Sequence, residues 1–152
     1  MPAHSRLLVS TDVGDIGPEV RRLFEDLARQ RPDRRHAVSG ECLPLLDVFE
    51  TERGLELVLD VPGVSADGLR VLIKDGLVLV VGEKERSGLG DGPASFHLVE
   101  RDFGRFVRAV RVHAAIDAGG ATARLAAGEL RIVLPKIQDR RGREYLIPVT
   151  LG

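Results

Sequence analysis

Leu69-Arg70-Val71-Leu72-Ile73-Lys74-Asp75-Gly76-Leu77-Val78-Leu79-Val80-Val81 reads as two β-strands joined by a two-residue turn. Leu69, Val71 and Ile73 alternate with Arg70, Leu72 and Lys74, the period of a strand with two unlike faces. Asp75-Gly76 supplies the positive φ values of a tight hairpin. Leu77 to Val81 is apolar at every position, which predicts a strand buried on both faces.

The same period runs outward from this hairpin. Upstream, Leu55, Leu57, Leu59 and Val61 alternate with Glu56, Val58 and Asp60, and Val61-Pro62-Gly63-Val64 stops the strand with a turn. Glu56 and Asp60 fall where a solvent face is expected. Downstream, residues 87–95 read as a flexible loop. Phe103 to Val112 returns to strand character, with Phe106, Arg108, Val110 and Val112 on one face. Thr122–Leu125 and Leu130–Leu134 are two more short strands separated by Ala127-Gly128, and Pro135 closes the last. About seven short strands with no helix between them predict an all-β, immunoglobulin-like antiparallel sandwich over residues 42–136. A βαβ fold needs amphipathic helices after its strands.

Residues 1–41 form an arm. Gly17-Pro18-Glu19 is a helix start, because proline suits the first helical position and Glu19 faces the positive end of the helix dipole. Val20, Leu23, Phe24 and Leu27 make one apolar stripe, and Arg31-Pro32-Asp33 ends the helix. The stripe must bury against its own domain or against a partner, and the sequence leaves both open. Residues 137–152 form a charged extension with an apolar tip, Ile147-Pro148-Val149. Pro148 pre-sets an extended backbone, which lowers the entropy lost on docking. Burying Ile147 and Val149 yields roughly 1.5–3 kcal/mol each, much of it offset by ordering the tail. Residues 145–151 are therefore either one more strand of their own domain or a weak link to a neighbouring molecule.

Composition narrows the function. The 152 residues carry 22 Lys+Arg against 23 Asp+Glu, without the basic excess of a nucleic-acid binder. The local cluster Arg140, Arg141 and Arg143 reads as a solvated tail. The single cysteine, Cys42, excludes an intrachain disulfide and fits a reducing cytosol. It lies between Glu41 and Leu43 and reads as unreactive. No apolar signal segment opens the chain, and no run approaches the length of a membrane span. A soluble, cytoplasmic protein is expected. His4, His36, His97 and His113 are scattered without metal-ligand spacing. Gly88-Leu89-Gly90-Asp91-Gly92 matches no phosphate loop, and no Gly-x-Ser-x-Gly is present. No enzyme, cofactor, metal, nucleic acid or membrane is expected.

Several landmarks follow one another in order. They are Leu43-Pro44-Leu45-Leu46-Asp47-Val48-Phe49-Glu50, Asp60-Val61-Pro62-Gly63-Val64, and Gly82-Glu83-Lys84 after the all-apolar strand. Then come Glu100-Arg101, Gly104-Arg105-Phe106-Val107-Arg108, Ala123 with Gly128 and Leu130, Pro135-Lys136 and Ile147-Pro148-Val149. Each is weak alone. In this order and spacing, over residues 43–149, the set resembles the small heat-shock proteins, the α-crystallin-domain family, in their bacterial form. Two positions depart from that pattern. Val112-His113 stands where the family has Leu-Pro, which alters one turn. Ala121 stands where Ile or Val is usual, which thins an apolar groove.

The resemblance implies that the loop over residues 86–99 crosses to pair with a partner's first strand. Phe96, Glu100, Arg101 and Arg108 are then at the dimer interface. It implies that Ile147, Pro148 and Val149 dock into a neighbour's groove near Val71, Ile73, Ala123 and Leu125. The expected function is an ATP-independent holdase, a homo-oligomer of dimers that binds non-native proteins and prevents their aggregation. The stripe Val20, Leu23, Phe24 and Leu27 is its expected client-binding surface. The first rival is a monomeric, co-chaperone-like binding module, against which the tail triplet and the long loop argue. The second is a β-sandwich enzyme or ligand carrier, which lacks a convergent polar site.

Overall fold

The alternating segments pair into two four-stranded antiparallel sheets in a computed structural model of the chain, which describes residues 8–31, 41–86, 92–137 and 144–151. In chain order the elements are β1 (Val9–Ser10), α1 (Gly17–Arg29), β2 (Leu46–Thr51), β3 (Gly54–Asp60), β4 (Leu69–Lys74), β5 (Leu77–Lys84), β6 (Gly104–Val112), β7 (Thr122–Ala126) and β8 (Glu129–Leu134). One sheet runs β1-β6-β5-β4 and the other β2-β3-β8-β7.

Turn chemistry sets the registers. Lys74 pairs with Leu77 across Asp75 (φ 49°) and Gly76 (φ 79°). Both φ values are positive, as a two-residue hairpin that matches strand twist requires. Ala126 pairs with Glu129 across Ala127 (φ 51°) and Gly128 (φ 77°). This second hairpin puts an alanine in the left-handed region. On β5, Gly82 lies so close under the Phe106 ring that a Cβ there would come within 2.3 Å of it.

Between the sheets lies the main core: Leu55, Leu57 and Leu59 of β3, Val78 and Val80 of β5, Phe106, Val110 and Val112 of β6, and Leu130, Ile132 and Leu134 of β8. The opposite face of β5 carries Leu77, Leu79 and Val81, and these are equally buried. Their cover is α1. Leu23 packs with them, and Val20, Phe24, Leu72, Val107 and Ala109 pack around that cluster. The all-apolar strand and the apolar stripe of α1 thus solve each other's exposure. Of the two fates open to the stripe, packing on its own domain is the one adopted.

Two features depart from expectation. An eighth strand, β1, joins the first sheet by pairing Val9 with Val112 and Ser10 with Arg111. Two residues are too few to show a period. Glu56 is not on a solvated face but 1% exposed. It accepts hydrogen bonds from the Thr51 hydroxyl, from Arg53 Nη2 at 2.6 Å and from Arg131 Nη1 at 3.0 Å. These partners hold its carboxyl below the usual carboxylate range, the Thr51 bond contributing most, while burial opposes them. Asp60, by contrast, is exposed as expected. The arginine cluster at 140, 141 and 143, the histidines 4 and 36, and residues 87–91 of the loop lie outside the described residues.

Candidate assembly and holding surfaces

Four surfaces grow out of this architecture. The first is carried by two edge strands, β4 and β7, each at the end of its own sheet. Strand alternation turns Leu69, Val71 and Ile73 inward from β4. Val71 and Ile73 are only half-buried against the core. From the β7 side come Leu125, half-buried, Ala121, half-buried, and Ala123, exposed. Each of these edges keeps apolar side chains only partly covered, and Ala121 and Ala123 on the β7 side are small. All four residues expected in the groove lie on these two edge strands.

The second surface is the loop that leads into β6. Phe96 is 52% exposed, Leu98 76% and Val99 55%. Arg86 lies over the Phe96 ring at 4.9 Å and over the Phe103 ring at 4.4 Å, and Arg101 covers Phe103 at 4.8 Å. Cation–π contacts therefore connect Phe96 and Arg101 within one chain. Glu100 is exposed beside them. Arg108 makes a different contact, its Nη1 donating to the Pro44 carbonyl at 2.8 Å. It ties β6 to the segment entering β2, the carbonyl partner that a half-buried guanidinium requires. Next to that segment a cavity of about 270 Å³ is lined by Cys42, Leu43, Leu45, Pro62, Val64 and Phe106. Leu43 and Leu45 remain largely exposed. The leucines on either side of Pro44, read above only as a landmark, are its trace in the sequence. The Cys42 thiol donates to the Gly104 carbonyl at 3.6 Å. Burial, aided by Asp102 and opposed by Lys84, pushes its pKa up, away from a reactive thiolate.

The third surface is the tail. Residues 144–151 form no strand. Leu146 (99%), Ile147 (75%), Val149 (98%) and Leu151 (103%) are exposed. The tail is not a further strand of its own sandwich.

The fourth is the seam between α1 and its sheet. The stripe expected to be open for clients is closed here, with Leu27 1% exposed and Leu23 8%. Ionic contacts that no sequence period announces surround it. Arg70 Nε donates to Asp26 Oδ2 at 2.8 Å, and Arg70 also bonds the Gln30 side chain. Lys74 lies 3.7 Å from Glu19. The Arg105 guanidinium stacks over Phe24 at 4.7 Å. Arg31, just past the helix, is buried and meets Glu85 at 3.0 Å and Glu83 at 3.8 Å. Among the described residues no group of three His, Cys, Asp or Glu side chains is arranged to hold a metal ion. No described helix is long and apolar enough to cross a membrane.

Comparison with known proteins agrees with this architecture. The model of the Hsp20/alpha crystallin family matches residues 47–150. Heat shock protein 16 of Schizosaccharomyces pombe is 29% identical over 134 residues, 85% of this chain and 91% of that protein. The solved structure of heat shock protein 16.0 from S. pombe covers 72% of this chain and all of its own, with a TM-score of 0.60 and 26% identity. A small heat-shock protein from Xylella fastidiosa, whose structure is titled as revealing a distinct high order structure, covers 72% of this chain and 95% of its own, with a TM-score of 0.56 and 27% identity.

Proposed function

The chain belongs to the Hsp20/alpha crystallin family of small heat-shock proteins, which are chaperones, and we propose that it acts as an ATP-independent holdase, working as a cytoplasmic homo-oligomer built from dimers. One observation carries this reading. The sandwich completes its own core yet leaves an extended apolar tail, Ile147-Pro148-Val149, exposed, and leaves Val71, Ile73 and Leu125 on the edge strands β4 and β7 only half-buried. Those two features are complementary between molecules. Each tail–groove link is weak, since burial of roughly 1.5–3 kcal/mol per side chain is largely offset by ordering. Many links together give a stable assembly that still exchanges subunits. The loop carrying Phe96, with Glu100, Arg101 and Arg108, forms the dimer contact by reaching the free edge of a partner's β2.

Holding requires apolar surface that appears when the assembly loosens. Val20, Leu23, Phe24 and Leu27 meet clients once α1 leaves its sheet. Coating exposed apolar segments lowers the concentration of sticky free chains, and no nucleotide step is needed. The test is turbidity of an unrelated enzyme during heating. Suppression is expected at near-stoichiometric subunit ratios, unchanged by ATP, with no ATP consumed. If the folded chain never suppresses aggregation, the monomeric binding module is the better account.

A further inference from the structure

Beneath α1 the β4-β5-β6 sheet presents a surface of defined chemistry. Its centre is Leu77, Leu79 and Val81 of β5, flanked by Leu72 of β4 and by Val107 and Ala109 of β6. Strand alternation puts Arg70 and Lys74 on the same face as Leu72, and Arg105 and Arg111 on the same face as Val107 and Ala109. The apolar strip therefore has two cations on each side. All four engage α1 or the residues leading into it. Arg70 binds Asp26, Lys74 meets Glu19, Arg105 stacks on Phe24, and Arg111 Nη2 donates to the Val13 carbonyl at 3.0 Å.

The spacing on the two sides matches. Glu19 and Asp26 are seven residues apart, about 10.5 Å along a helix. Lys74 and Arg70 are four apart, about 13 Å along a strand, within reach of their long side chains. The cover is also imperfect. Glu19 Oε2 is buried with no hydrogen-bond partner among the described residues. Leu72, Val107 and Ala109 stay half-buried at the margins with α1 in place.

We infer that this sheet face is itself a client-holding site, kept closed by α1 as a built-in occupant, and that its ligand is a helix-forming segment of a non-native protein whose apolar stripe is flanked by carboxylates about seven residues apart. The inference rests on the holdase reading and assigns it a second site and a substrate class. Charge complementarity selects the occupant. On the β4 side Arg70 and Lys74 favour acidic flanks and disfavour basic ones, whereas Arg105 on the β6 side is already paired with Glu83 at 3.0 Å. When α1 lifts, the face it vacates has the shape and charge to take a segment like α1.

The experiment uses the full chain carrying Leu27→Asp, which places a charge in the seam and frees α1 without touching the main core. The probe is a fluorescein-labelled peptide with the sequence of residues 15–30, followed by anisotropy. The expected result is binding at least tenfold tighter than to the wild-type chain. The same peptide carrying Glu19→Lys and Asp26→Lys should bind at least tenfold more weakly. Adding Arg70→Glu and Lys74→Glu to the Leu27→Asp chain should invert that preference. Asp26→Lys alone changes only the rim, so it keeps the test available if Leu27→Asp does not fold, and it should give a gain of a few-fold. Equal binding to freed and wild-type chains, or equal binding of the two peptides, overturns the proposal. Selective peptide binding without protection of a model client overturns the holdase reading and leaves the site. Protection without carboxylate preference overturns the site and leaves the function.

Discussion

At the scale of single residues, Glu56 and Ala127 each answer to a local force that the fold imposes. Glu56 is a buried carboxylate held by Thr51, Arg53 and Arg131, with its pKa lowered in the folded chain. A depressed folded pKa gives stability that is full above the ordinary carboxylate pKa and is lost as pH falls through the folded value. Thermal melts between about pH 7 and about pH 3 should therefore show the wild-type chain's advantage over Glu56→Gln shrinking as pH drops. Parallel melting curves across that range would remove Glu56 from the acid response. Ala127 sits at φ 51°, where an L side chain without a local hydrogen bond costs roughly 1–2 kcal/mol. Asparagine tolerates that region. Ala127→Asn should raise stability by about 0.5–1 kcal/mol, read as a higher melting temperature.

Among the elements, β5 has the most to lose, because it is covered on both faces. Leu79 points away from the main core yet is 0% exposed, since α1 lies over it. Leu79→Ala should cost about 2–5 kcal/mol in denaturant unfolding, the range for a buried leucine. A value near zero would mean that α1 is not seated on the sheet in solution. The loop into β6 is the element with the opposite character, apolar but uncovered at Phe96, Leu98 and Val99. In the proposed dimer, deleting residues 87–95 leaves too little chain for the loop to reach its partner. Monomers are expected, or failed folding because edge strands lie open. A variant that stays dimeric by light scattering would place the interface elsewhere.

For the whole molecule, the proposed assembly rests on the edge strands β4 and β7 and on an exposed tail. Ile147→Ala with Val149→Ala removes the two side chains whose burial, roughly 1.5–3 kcal/mol each, drives a tail link. The particle mass should fall towards that of a dimer while the β-sheet circular dichroism and the melting of the sandwich stay as in the wild type. Unchanged mass would deny the tail any role between molecules. The combination of complete core and open periphery follows from sheet order, because the β1-β6-β5-β4 and β2-β3-β8-β7 arrangements leave β4 and β7 at their sheet edges.

Most of what could be read from residue order alone was local in origin. Period-2 alternation marked the strands at residues 55–61 and at Leu69–Lys74, an all-apolar run marked β5, Asp75-Gly76 marked the hairpin, and Pro18 with the stripe Val20, Leu23, Phe24 and Leu27 marked α1. The ordered landmarks from Leu43 to Val149 were enough to indicate the family. The strand, turn and helix signals are legible because each depends on neighbours a few residues apart, and the family signal because its landmarks keep their order along the chain. Which surface α1 covers, the burial of Glu56 and which strands are edges become visible only in the folded chain. Those outcomes join distant positions. Asp26 and Arg70 are 44 residues apart, and Glu56 and Arg131 are 75 apart. Register between strands brings such pairs together, and no periodicity within either segment encodes the partner that the other strand presents.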